Sequence, residues 1–313
     1  MRPGFCRPQG TRSGPHSRAV QLLRLWRHQR HPDLPPLRGL IPPVLERIWA
    51  DESTFPVADR GLAYGDGLFE TIRFNGRQAN LRDRHLRRLT NDAGRLGIPA
   101  SREALASALD AAVDRYATPG SWVLKLILTR GSGGRGYRPP ASAHPRLCLS
   151  RHECPPSPAQ PVAVSRCPNP LVVDPQLAGI KSLNRLPQVL ASQTMPEWAY
   201  EALMGSPNGD LLEGTRTNLI ARVGDHWVTP AVDTLAVAGV ARQAALDELA
   251  RLGESVQLRA ITRVDIHDSD FGGLMLMNSV VGGIMVGWID QFELPRHEAL
   301  ARIRSFLSDA VGS

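Results

Sequence analysis

Only two lysines, Lys125 and Lys181, stand among thirty-five arginines in the 313-residue chain. Arginine fills most surface roles of lysine, but it keeps its proton near neutral pH and cannot attack a carbonyl as a free amine. A lysine in so arginine-rich a chain is therefore a candidate for amine chemistry, chiefly a Schiff base. Lys181 lies in Ala178-Gly179-Ile180-Lys181-Ser182-Leu183-Asn184-Arg185-Leu186. The count alone leaves an ordinary lysine as the alternative, and the other motifs weigh against it.

Three features in the second half suit a bound anionic group. Gly239-Val240-Ala241 opens a helical pattern, and a helix start offers free backbone N–H groups and the positive end of the dipole. Asn278-Ser279, after an apolar strand and before Val280-Val281-Gly282-Gly283, offers an amide and a hydroxyl at a second turn. Arg88 supplies a counter-charge. Glu213, after two leucines at a strand end, reads either as a surface acid or as a carboxylate held against a protonated ring nitrogen.

These groups need elements to position them. Phe69–Phe74 alternates apolar and polar residues as a half-buried strand does, and Asn75-Gly76 is a hairpin turn signal. Leu81–Leu96 reads as a helix with the stripe Leu86, Leu89, Ala93 and Leu96, placing His85 and Arg88 together on a neighbouring face. Ser101 caps a second helix to Tyr116, and Trp122–Thr129 is a buried-type strand. Further strands are expected at Leu147–Ser150, Val162–Ser165, Glu201–Met204, Leu211–Leu212, Asn218–Val223 and Leu274–Met277. Helices are expected at Leu183–Ser192, Arg242–Leu252 and after Pro295. The order is mixed α+β without a regular βαβ cadence. Seven prolines between 138 and 161 set a boundary, giving a smaller domain over 46–152, a linker at 153–160 and a larger domain over 161–313.

Composition narrows the partners. Residues 1–40 hold eight arginines and one acid, which accounts for the whole net charge of +7, so the remainder is balanced and offers no nucleic-acid-binding body. Residues 1–45 read as a disordered Arg/Pro-rich extension or a start placed too far upstream. No apolar run is long enough to span a membrane. Cys6, Cys148, Cys154 and Cys167 show no metal-ligand spacing, so no metal site and reduced thiols in the cytoplasm are expected.

The lysine segment, continued by Pro187-Gln188-Val189-Leu190-Ala191, resembles that of the fold-type IV pyridoxal-phosphate enzymes, the class IV aminotransferase family. Leu212-Glu213-Gly214-Thr215-Arg216-Thr217-Asn218 is similar to the family's E-G-T-x-S-N, with Thr217 where serine is common. Ala58-Asp59-Arg60-Gly61-Leu62-Ala63-Tyr64-Gly65-Asp66-Gly67-Leu68-Phe69-Glu70-Thr71 resembles its N-terminal motif. His85-Leu86-Arg87-Arg88-Leu89 matches H-x-x-R-L, and Gly239-Val240-Ala241-Arg242 matches G-[VI]-x-R. The resemblance covers about residues 55–310 and implies a homodimer of two α/β domains with pyridoxal 5'-phosphate between them. It also implies that Lys181 carries the cofactor, that Glu213 pairs with its ring nitrogen and that Arg88 contacts its phosphate. Val240, Ala241 and Ser279 would complete the phosphate cup, with Asn278 alongside. Arg130-Gly131-Ser132-Gly133-Gly134-Arg135-Gly136-Tyr137 is similar to the R-G-S-G-G-R-G-Y segment of the aminodeoxychorismate lyase branch. That implies a small dicarboxylate substrate held by Arg130, Arg135 and Tyr137, and conversion of 4-amino-4-deoxychorismate to 4-aminobenzoate and pyruvate for folate precursor synthesis. Transamination of D-amino or branched-chain amino acids is the alternative.

Overall fold

Two sheets organise the computed structural model, which describes residues 44–312. The expectation for residues 1–43 lies outside the described residues. The first sheet has strands β1 (Glu46–Trp49), β2 (Gly67–Asn75), β3 (Ser121–Thr129) and β4 (Arg146–Glu153) in the order β1-β4-β3-β2. β2, β3 and β4 are antiparallel neighbours, and β1 joins β4 in parallel. Between β2 and β3 the chain forms α2 (Arg82–Leu96) and α3 (Arg102–Tyr116); a short α1 (Arg60–Tyr64) precedes β2.

Alternation decides which face of this sheet is covered. Leu68, Ile72 and Phe74 of β2 point the same way as Leu124, Leu126 and Leu128 of β3, and they pack against Leu86, Leu89 and Ala93 of α2 and Leu105, Leu109 and Ala112 of α3. Ser101 caps α3 by accepting from Ala104 N–H at 3.1 Å. The Asn75-Gly76 turn forms locally, Asn75 and Gln78 exchanging backbone bonds, but β2 then pairs with β3 across the two helices instead of with an adjacent hairpin strand. The other face, carrying Phe69, Thr71, Val123 and Lys125, is left for the cavity described below.

The second sheet is larger. It comprises β5 (Val162–Arg166), β6 (Glu201–Gly205), β7 (Leu211–Gly214), β8 (Asn218–Val223), β9 (His226–Thr229), β10 (Ser255–Leu258), β11 (Phe271–Asn278), β12 (Gly282–Ile289) and the short β13 (Phe292–Glu293). Its order is β10-β9-β8-β11-β12-β5-β6-β7, and β7 also pairs with β8, so six of these strands close a ring. Leu219, Leu274, Leu276, Ile284 and Val286 fill the interior. Met275, Met277 and Met285 face outward under α5 (Val240–Arg251) and α7 (Glu298–Val311), which contribute Ala244, Leu249, Ile303 and Leu307. β11 is thus buried on both faces, which is why its sequence is continuously apolar. α4 (Leu186–Gln193) and α6 (Arg263–His267) complete the elements.

One strand goes beyond the expected set: β12 begins at Gly282, just after the Asn278-Ser279 turn, and runs eight residues through the middle of the sheet. The glycines serve close packing: a side chain at Gly283 would meet Met275 Sδ at 2.9 Å and the backbone of Arg304 on α7 at 3.1 Å.

Candidate active site

Lys181 is fixed by backbone before its side chain does anything. The irregular segment after β5 runs along the free edge of β2, where Phe69 N–H donates to Lys181 O at 3.0 Å and Leu183 N–H to Gly67 O at 2.9 Å. Its other side is tied to the loop before α5 by Gly179 N–H to Leu235 O at 2.7 Å and Ala238 N–H to Gly179 O at 2.9 Å. Asp92, inside the apolar stripe of α2, accepts Lys181 N–H at 3.1 Å; burial pushes its carboxyl up to about 6. The lysine is therefore clamped between the two sheets. Its Nζ lies over the Phe69 ring, 4.1 Å from the centroid. Burial lowers its pKa to about 7, with Arg88 adding to the effect, so a free amine is present near neutral pH.

A cavity of about 1040 Å³ opens around this amine. It gathers Lys181, Glu213, Arg88, Val240, Ala241, Asn278 and Ser279, seven of the residues singled out from the sequence. Glu213, at the end of β7, is 3% exposed and receives Ala236 N–H at 3.0 Å, Val237 N–H at 3.3 Å and Gln188 Nε2 at 3.3 Å. Burial lifts its carboxyl to about 7. α5 starts at Val240 with no side-chain cap, leaving its first N–H groups free toward the cavity. A side chain at Gly239 would meet Asn218 Oδ1 at 2.0 Å, so only glycine lets the backbone approach so closely here. Asn278 turns the chain between β11 and β12, accepting from Val280 and Val281 N–H at 2.9 and 3.0 Å, while Ser279 Oγ donates to Thr71 O at 3.2 Å across to the first sheet.

Sequence reasoning missed the residue that aims Arg88. Glu70 on β2 is 1% exposed and takes Arg88 in a two-toothed pair, Nε at 2.8 Å and Nη2 at 2.6 Å, while His85 Nδ1 lies 2.7 Å from its Oε2. Burial works against the carboxylate, but Arg88 and His85 outweigh it and hold it near 2. Arg88 Nη1 reaches Ala238 O at 2.9 Å, beside the start of α5. A signal was present: strand alternation puts Glu70 on the same face as Leu68, Ile72 and Phe74, and an acid there demands a buried cation.

The glycine-rich loop behaves differently from expectation. Arg130 is a structural residue, 7% exposed: it pairs with Asp66 at 2.8 and 3.0 Å and caps α2 by donating to Leu96 O and Gly97 O at 2.7 and 2.6 Å. Its guanidinium is consumed and does not line the cavity, because α2 needs its last carbonyls satisfied. Arg135 and Tyr137 are exposed, Tyr137 to 84%, and they too lie away from the cavity wall of their own chain. Arg60 holds this loop, donating to Gly136 O at 3.1 Å and Tyr137 O at 2.8 Å.

An amine poised near neutrality, a buried acid and an uncapped helix start in one cavity fit pyridoxal phosphate: an aldehyde for the lysine, a basic ring nitrogen for the acid and a phosphate for the amides and Arg88. Among the described residues no cluster could hold a metal ion. No helix there is long and apolar enough to cross a membrane.

Comparison with known proteins agrees with this donor set. The family model described as Amino-transferase class IV matches residues 67–287. The chain is 31% identical over 232 residues to aminodeoxychorismate lyase of Vibrio harveyi, spanning 72% of this chain and 84% of that protein. It is 30% identical over 228 residues to D-alanine aminotransferase of Bacillus licheniformis, spanning 70% and 78%. The crystal structure of 4-amino-4-deoxychorismate lyase from Pseudomonas aeruginosa superposes with a TM-score of 0.76 at 35% identity, over 82% of this chain and 95% of that one. With the lysine, the acid and the anion cradle in place around one cavity, the chain belongs to the class IV aminotransferase family of pyridoxal-phosphate enzymes, with the mixed α/β fold of that family.

Proposed function

We propose that this protein is an aminodeoxychorismate lyase, converting 4-amino-4-deoxychorismate to 4-aminobenzoate and pyruvate for folate precursor synthesis. The observation that carries the reading is the 35% identity to the Pseudomonas aeruginosa lyase over 95% of that chain, joined to a cavity lined by a lysine that burial brings near neutrality and by a buried acid. When bound, pyridoxal phosphate supplies an electron sink for the carbon whose amine it holds. Lys181 would hold the cofactor and would accept the proton from the amine-bearing ring carbon of the substrate; a pKa near 7 suits a base working at neutral pH. Glu213 would keep a proton at the ring nitrogen, while the amides of Val240 and Ala241 with Arg88 would take the phosphate. Ser279 and Asn278 shape the facing turn. Loss of that proton and cleavage of the enolpyruvyl ether C–O bond leave an aromatic ring, and the proton ends on the released enol, which becomes pyruvate.

Purified protein incubated with enzymatically made aminodeoxychorismate should release 4-aminobenzoate and pyruvate in equal amounts on chromatography. Release of neither, with an amino acid alone transferring its amino group to the cofactor, would establish the aminotransferase reading that the 30% identity to D-alanine aminotransferase favours.

A homodimer belongs to this reading. Leu62, Tyr137 and Leu186 are 64%, 84% and 72% exposed, and they are linked through the Tyr64–Tyr137 ring contact at 5.5 Å and the Asn184–Gly65 hydrogen bond. Exposed apolar side chains joined by these contacts support reading this face as the interface. Arg135 and Tyr137 sit on it, so their role as substrate ligands is assigned toward the site of a second copy. Mixing Arg135→Ala with Lys181→Ala protein after joint refolding should restore about a quarter of wild-type activity, because half the dimers are mixed and each has one intact site. A mixture no more active than its components would remove Arg135 from the partner's site. The two sheets are read as the two domains, 46–152 and 161–313, with 153–160 as linker. The free thiols Cys148, Cys154 and Cys167 suit a cytoplasmic setting.

A further inference from the structure

The loop 131–137 is built around one side chain, Arg60, which opens α1 and is 3% exposed. The Arg60 backbone N–H donates to Gly131 O at 3.0 Å, at the start of the loop. Its stem passes Gly133 so closely that a Cβ there would meet Arg60 Cδ at 2.7 Å. Its guanidinium closes the far end, Nη1 donating to Gly136 O at 3.1 Å and Nη2 to Tyr137 O at 2.8 Å. The head is itself fixed, by Asp66 Oδ2 at 2.8 Å from Nε and by the Tyr64 ring, whose centroid is 4.9 Å away. Tyr64 in turn meets Tyr137 edge-on at 5.5 Å. One buried residue thus grips the loop at its beginning, its middle and its end.

A buried guanidinium is costly to desolvate, whereas water satisfies the carbonyls of an exposed loop without help. What Arg60 adds is a single shape for a loop whose residues 134–137 are exposed. The surrounding fold does not need the charge. Asp66 is also held by Arg130 through both oxygens, at 2.8 and 3.0 Å, so a neutral side chain at position 60 leaves no buried acid unpaired. Neither Arg60 nor any residue of 131–137 lines the cavity of its own chain, so that cavity makes no direct use of the shape. Arg135, in the exposed part of the loop, is the charged group that the shape presents.

We propose that Arg60 is a positioning residue for the substrate site of the second copy: it fixes the loop 131–137, and through it Arg135, in the shape that the other chain's site requires. The inference rests on the reading of Arg135 as a ligand in that site. Arg60→Met should raise KM about 10- to 100-fold, the cost of displacing a positioned group by roughly 1 Å, with little change in kcat. Circular dichroism and the absorbance of bound cofactor should be unaltered. Gly133→Ala keeps Arg60 but displaces its stem, and Gly133 has no left-handed backbone, so the added methyl acts through that contact alone. It should show the same KM defect, and it carries the test if Arg60→Met fails to fold. Where the defect lies decides the matter. Each variant is refolded jointly with Lys181→Ala, and activity is read well below KM in whichever reaction the wild type catalyses. Arg60→Met should then recover about a quarter of wild-type activity. Half the dimers are mixed, and each has one site with an intact lysine and a loop held by the other chain's Arg60. A merely structural defect stays in its own chain and is not restored. Recovery with Arg135→Ala but not with Arg60→Met or Gly133→Ala overturns the proposal and leaves the second-copy reading standing. Recovery with none of the three removes both, and an unchanged KM in Arg60→Met removes the role of Arg60.

Discussion

Lys181→Ala is expected to abolish turnover, by roughly 10⁴-fold or more, the upper range for loss of a positioned proton-transfer group. Two functions would be lost together on the proposed reading, in which the same amine holds the cofactor and moves the proton. Lys181→Arg should fail as completely, because a guanidinium keeps its proton where an amine at this position gives it up near pH 7. The fold should survive both changes. The segment is held by its backbone, through Phe69, Leu183, Gly179 and Asp92, and not by the Nζ. Chromatographic product assays and circular dichroism on the same samples separate the two effects, and full activity in either variant would refute the assignment. A pH signature accompanies this. Burial depresses the lysine from its ordinary 10.5 to about 7, so the amine is charged below pH 7 and free above it. Capture of pyridoxal phosphate by cofactor-stripped protein should therefore accelerate about tenfold per pH unit up to pH 7 and level off above, read as the growth of absorbance of the lysine-bound cofactor.

Glu213→Gln should lower kcat by about 10²-fold or more, the scale of removing one preorganised electrostatic group from a buried site. The amide has the same size and keeps an oxygen for Ala236 and Val237 N–H, so the loop before α5 should keep its place. What the variant lacks is charge. In the protein without cofactor, burial holds this carboxyl near 7; a protonated ring nitrogen beside it would stabilise the carboxylate, and the carboxylate would in turn keep the ring protonated. Glutamine cannot do this, and the ring accepts electrons less readily. Single-turnover rates at saturating substrate, with cofactor occupancy checked by absorbance, provide the measurement. A rate equal to wild type would show that Glu213 does not face the ring nitrogen.

Glu70 and Arg130 show how side-chain chemistry becomes assigned only in the folded molecule. Each was visible as a charged residue within a motif. Glu70 lies on the buried side of β2, so its charge is spent orienting Arg88 and His85. Arg130 lies where α2 ends, so its donors go to Asp66 and to two helix carbonyls. Alternation foretells that Glu70 is buried, but neither residue's partner is written in local spacing, because the partner is set by which elements pack together.

Residue types and short-range periodicity by themselves determined much of this protein. They singled out Lys181 and the α5 start, which the fold brings to one cavity, and they marked Ser101 as a cap, the strand before Asn75 and the helix bearing His85 and Arg88. Such features depend on contacts a few residues apart, and alternation or a cap can be read directly from the chain. The tertiary structure decided the rest. The closing of β7 onto β8, the placing of β12 through the middle of the sheet and the meeting of both lysines in one cavity depend on contacts across the chain, as between Thr71 and Ser279 or Arg88 and Ala238. Their physical reason is burial: the second sheet is filled on both faces, the first on one, and the face left over on the first meets strand ends and the α5 start of the second to enclose the site.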